Sequence, residues 1–160
     1  MSEKLTSAGL ESFLDDTCDS LRKDRDAAEF KEYVIAILFL KRLNDRFNLE
    51  CEVSRNKLKA KGLSETQIED GLEKREVYRF FVPKIARWEN LKHQTEELGP
   101  YLIKAFAEIE VMNRGCLGLL STVDFNKMSK NGDHYIKNAD LVELIKDFDN
   151  LQLTDEHLDF

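Results

Sequence analysis

The chain has 160 residues with 24 Lys+Arg against 31 Asp+Glu, which favours one domain of ordinary size and gives a net charge of −7. Hydrophobic residues at 42% exclude wholesale disorder, and only 7 Gly and 2 Pro argue against a turn-rich β-sandwich. The acidic balance disfavours tight, sequence-independent DNA binding by this chain alone, because counterion release needs a concentrated positive face.

The longest apolar run, Tyr33 to Leu40, stops at Lys41 and Arg42. It falls well short of the roughly 18 residues that read as a bilayer span, so no transmembrane helix is expected. Met1-Ser-Glu-Lys4 opens no secretory signal, and the expected compartment is cytoplasmic. Cys18, Cys51 and Cys116 are odd in number and lack a Cys-x-x-Cys pair, which reads as reduced thiols.

In chain order, Ser7 is a plausible cap for a first helix. Leu10, Phe13, Leu14, Thr17/Cys18 and Leu21 form its apolar stripe, and Glu11, Asp15, Asp16 and Asp19 its polar face, to about Arg22. Asp26-Ala-Ala-Glu29 has capping-box spacing and should open a long helix. From Val34 to Leu40 apolar residues surround that helix, which predicts a central, fully buried element. Beyond Phe47 a charge-dense stretch could extend it into solvent until Gly62 stops it. Ser64-Glu-Thr-Gln67 is a second capping box, opening a short helix to about Lys74. Val77 to Val82, aromatic and β-branched, reads as extended up to Pro83. A helix over Lys84–His93 and another over about Pro100–Asn113 follow. Asn113-Arg-Gly-Cys-Leu-Gly118 is a helix stop and loop, and Asn138 caps a helix carrying Leu141, Leu144, Ile145 and Phe148. Thr154-Asp-Glu-His157 announces a helix that the remaining three residues do not deliver. The expected fold is therefore all-α, a helical bundle around a central helix, with at most a short extended segment near residues 77–82.

Chemistry-bearing constellations are scarce. His93, His134 and His157 lie far apart and the cysteines are isolated, so no zinc-ligand spacing exists. Gly115-Cys-Leu-Gly118 lacks the Lys of a P-loop, and no nucleophile elbow occurs. Adjacent acids such as Asp15/Asp16 and Glu96/Glu97 read as solvated helix faces. Two basic groups merit weighing: Lys41, Arg42 and Arg46, and Lys84 with Arg87 beside Trp88. Their bland reading is that the first group complements a helix end or pairs with Asp45, and that Trp88 is core, with Arg87 stacked or salt-bridged. Their functional reading is contact with a phosphate backbone or a partner protein.

At Ala28-Glu-Phe-Lys-Glu-Tyr-Val-Ile-Ala-Ile-Leu-Phe-Leu-Lys-Arg-Leu-Asn-Asp45 the chain resembles the N-terminal helical domain of the modification (M, HsdM) subunit of type I restriction-modification systems. Phe81-Val-Pro-Lys-Ile-Ala-Arg-Trp88 is similar to that domain's aromatic-x-Pro-x-x-Ala-Arg-Trp segment, Leu98–Glu110 to the helix after it, and Asp140–Phe148 to its closing helix. The resemblance covers about residues 10–153. It implies a subunit that methylates N6 of adenine with S-adenosylmethionine (AdoMet), two M subunits working with a specificity (S) subunit on double-stranded DNA, and a restriction (R) subunit that can join them. The implied catalytic machinery includes Asn-Pro-Pro-Phe/Tyr, which acts on a flipped base. This chain contains no Pro-Pro, so catalytic and cofactor-binding residues are expected in none of these 160 positions. Residues 1–153 would be the front domain, and 154–160 the start of a connection to a catalytic domain. Lys41, Arg42, Arg46, Lys84 and Arg87 are the contact candidates. The alternative is a free-standing helical interaction module with no part in methylation.

Overall fold

The computed structural model of the chain describes residues 5–22, 26–114, 123–154 and 158–159. Within them the all-α expectation holds. The elements are α1 (Ser7–Arg22), α2 (Ala27–Ala60), α3 (Glu65–Leu72), α4 (Trp88–Leu91), α5 (Leu98–Met112) and α6 (Asn138–Asp149), with 3₁₀ turns at Arg75–Val77 and Lys84–Ala86. A two-residue parallel pairing joins β1 (Leu5–Thr6) to β2 (Leu158–Asp159). The helix announced at Thr154 falls largely on residues 155–157, outside the described residues, as does the Gly115–Gly118 loop.

Helix α2 is the axis of the domain, 34 residues long and so about 51 Å at 1.5 Å per residue. Its start follows the sequence: Asp26 is the N-cap, and its side chain accepts from Glu29 N at 3.0 Å. The Glu29 carboxylate meets Lys127. Its end is a Schellman turn in which Gly62 N and Leu63 N donate to Lys59 O and Leu58 O, with Gly62 at φ +77°, a left-handed conformation that glycine adopts at no steric cost. Helix α1 begins one residue earlier than the Ser7 cap implied, because the Thr6 hydroxyl accepts from Gly9 N at 3.0 Å. Helix α3 has both bonds of the Ser64/Gln67 box and buries Ile68 and Leu72.

Helices α1, α3 and α6 pack on α2, and α5 packs on α6 and on the Lys84–Ala86 turn. Phe30, Val34, Ile37, Leu40 and Phe47 of α2 are buried, in one core with Leu102, Phe106 and Ile109 of α5 and Leu141, Leu144 and Phe148 of α6. The expectation that Val34–Leu40 is buried all round needs correction: Ile35 is 58% exposed and Phe39 36%. These two lie one turn apart and only about 40° apart around the helix, on a side that the packed elements leave uncovered.

Two more local readings change. The predicted Lys84–His93 helix is a 3₁₀ turn and a four-residue helix, broken at Arg87 (φ −71°, ψ 133°). The predicted extended run 77–82 makes no strand; Val77 closes a 3₁₀ turn and Tyr78 is extended.

Candidate nucleic-acid and partner interface

Three buried or bridging asparagine amides fix the irregular segments around α2 and α5. Asn44, on α2 and fully buried, donates through Nδ2 to Leu40 O and to Ala86 O, both at 3.0 Å, and accepts the Trp88 N–H at 2.7 Å. That pair of bonds is the physical reason the 84–91 segment is not one helix: a continuous helix would use Trp88 N–H and Ala86 C=O internally, whereas the extended Arg87 turns both toward one amide. Asn113, at the end of α5, repeats the device. Its Oδ1 accepts Phe81 N–H at 2.8 Å, while Nδ2 donates to Phe81 O and Ile109 O at 2.8 Å. Asn138, read from sequence as the cap of its own helix, instead serves α5: it accepts Leu98 N–H at 2.9 Å and donates to Thr95 O at 2.7 Å. The α6 N-cap is Lys137, without a side-chain bond. Asn138 thereby holds the start of α5, where Glu97 sits in the left-handed region at φ 49°.

The candidate cations divide according to this scaffold. Lys41 is 5% exposed; its ammonium is 2.5 Å from Asp45 Oδ1 and 5.5 Å from the centre of the Trp88 ring. The other Asp45 oxygen accepts Leu153 N–H at 2.8 Å, and Arg42 donates to Leu153 O, so two charged residues of α2 strap down the segment after α6. Trp88 is buried and donates through Nε1 to Asp149 Oδ1 at 2.9 Å. Arg46 is half-buried.

Arg87 follows the bland reading in full. Its two terminal nitrogens meet Glu73 Oε1 and Oε2 at 2.9 and 3.0 Å, and Nε donates to Val82 O at 3.1 Å. The guanidinium lies over Phe47 and Phe81, 5.0 and 5.8 Å from their centres. These bonds from Arg87 hold the Glu73 carboxyl below its ordinary range, against the opposing effect of burial. Lys84 is exposed.

The structure thus places Lys41 and Arg87 against internal partners and Lys84 in solvent, with Arg42 and Arg46 between these extremes. Sequence reasoning passed over Arg79, an exposed cation 5.8 Å from the Phe80 ring and five positions before Lys84. Its signal was available in the Arg-Phe-Phe triplet. Among the described residues there is no group of three His, Cys, Asp or Glu side chains placed to hold a metal ion, and no helix long and apolar enough to cross a membrane.

These features define an all-α domain built on one long helix and stapled by buried amides. The family model for the HsdM N-terminal domain matches residues 10–148, and the chain belongs to that family: it is the N-terminal region of a type I restriction-modification M subunit. No curated protein matches the chain.

Proposed function

We propose that this domain supports DNA binding and assembly with the S subunit in an M subunit that methylates N6 of adenine using AdoMet. The observation that carries the reading is the family match across residues 10–148. In this proposal residues 1–153 form the front domain and residues from 154 onward lead to the catalytic domain that binds AdoMet. The complex contains a second M subunit and can recruit an R subunit, and it acts in the cytoplasm.

Lys84 is the contact candidate best placed to meet a phosphate, being exposed on the segment that Asn44 and Asn113 tie to α2 and α5. Arg42 and Arg46 act through the face of α2 where the segment around Leu153 crosses. The test is a salt-dependent DNA titration and an S-subunit co-purification with the full-length subunit. Lys84→Ala and the double substitution Arg42→Ala/Arg46→Ala are each compared with wild type. Loss of one phosphate contact should reduce the slope of log affinity against log salt by about 0.9. A urea midpoint measured alongside separates loss of contact from loss of the Arg42–Leu153 strap. Unchanged slopes and unchanged co-purification in both variants remove these residues from the interface.

A further inference from the structure

Helices α1 and α2 leave between them a groove of about 280 Å³, floored by Leu14, Cys18, Val34 and Ile35. Its size lies just below the roughly 300–1,000 Å³ typical of small-molecule sites, which suits one or two side chains presented by a larger partner. The apolar surface continues past the groove, because Ile35 is 58% exposed and Phe39, one turn further on the same side of α2, is 36% exposed.

The α1 side of the rim is acidic. Glu11 and Asp15 line it, and Asp19 extends the row, so three exposed carboxylates stand at i, i+4 and i+8 along α1. At 1.5 Å per residue that ridge is about 12 Å long. The cation opposite, Lys31, lies 3.7 Å from Asp15, and both side chains are more than half exposed. Such a pair is weak and exchanges readily for a partner's cation.

We propose that this groove docks an amphipathic helix from a partner protein, with aliphatic anchors in the groove and on Ile35 and Phe39 and a row of Lys or Arg against Glu11, Asp15 and Asp19. Charge complementarity sets the choice of partner. A helix with the same row spacing as α1 places one cation opposite each carboxylate, and an acidic or neutral helix gains nothing from the ridge.

The test is an NMR titration of the chain with a synthetic Leu/Lys peptide of amphipathic helical order, with the matching Leu/Glu peptide as control. The Leu/Lys peptide should shift the methyl signals of Leu14, Val34 and Ile35, and the Leu/Glu peptide should not. Replacing Glu11, Asp15 and Asp19 by Lys should weaken binding about tenfold or more, as three exposed pairs are lost together. The same charge change at Glu52, Asp70 and Glu108, exposed positions away from the groove, should leave it nearly unchanged. Ile35→Ser, at an exposed site where folding is not at stake, should weaken binding too. The proposal is overturned by absence of shifts at the groove or by equal weakening in the two triple variants, which would mean bulk charge attraction. It is also overturned if peptide-free samples self-associate through Ile35 and Phe39, which would make a second copy the occupant.

Discussion

Replacing Asn44 by Ala tests whether a single amide holds the Trp88 segment on the long helix. The substitution removes three hydrogen bonds, but their costs differ. Leu40 O keeps its partner within α2, whereas Trp88 N–H and Ala86 C=O lose theirs in a fully buried setting. A buried polar group left unsatisfied costs about 1–3 kcal/mol, so the two together cost about 2–6 kcal/mol. Alanine returns at most about 0.7 kcal/mol in helix propensity. The net expectation is a loss of roughly 1.5–5 kcal/mol, a large share of a domain stability of about 5–15 kcal/mol. Trp88 is the single tryptophan, so its fluorescence in a urea titration reports the affected segment directly. With a slope of about 1–3 kcal/mol per molar urea, the midpoint should fall by about 0.5 M or more. Asn44→Asp should do no better than Ala, since it keeps the acceptor for Trp88 N–H but sets a carboxylate against Ala86 O. A fall below about 0.5 M at unchanged slope would refute the argument that this amide imposes the break at Arg87.

Asp45→Ala should cost about 3–5 kcal/mol, because it strands the buried Lys41 ammonium and releases Leu153 N–H. Lys41→Met should cost less, since Asp45 still accepts from Leu153, and a double-mutant cycle in urea measures the difference. The pH dependence follows from Glu73. Its carboxyl is held below the ordinary 4.5 by Arg87, so the folded chain gives up that proton more readily than the unfolded chain. The resulting stability is fully present above about pH 4.5 and is lost as pH falls through the folded value. Glu73→Gln should therefore flatten the acid side of the urea-midpoint profile, modestly because the side chain is 39% exposed, and an unchanged profile would refute the assignment.

Periodicity and cap chemistry made the long elements legible because both act within a few residues of sequence. Asp26, Ser64 and Gly62 each mark a helix end through bonds to residues at most five positions away, and α2, α3 and α1 were readable to within a residue or two. Long-range amides were not legible. Asn138 has the look of a cap, yet its side chain bonds to residues 40 and 43 positions earlier. Asn44 sits mid-helix with no local sign that it will accept from a residue 44 positions on. Those bonds set the breaks at Arg87 and Leu98, which is why the Lys84–His93 helix was overdrawn and the start of α5 misplaced by two residues.

The same logic governs the basic residues. Lys41 and Arg42 are adjacent, but one residue is a 100° rotation on a helix, which turns Lys41 into the Trp88–Asp45 interior and leaves Arg42 at the edge against Leu153. Spacing along the sequence cannot decide which of two neighbouring cations faces the core, because that depends on where α6 and the 84–91 segment lie. Once those elements are in place, the electropositive character of Lys41 and Arg87 is consumed by Asp45 and Glu73. In the proposed complex any DNA-facing charge therefore falls to exposed residues such as Lys84 and Arg79, and to the half-buried Arg42 and Arg46. On that proposal, a domain of net charge −7 with so few exposed cations in its candidate set serves DNA binding by positioning the phosphate contacts of a larger assembly, not by supplying bulk attraction.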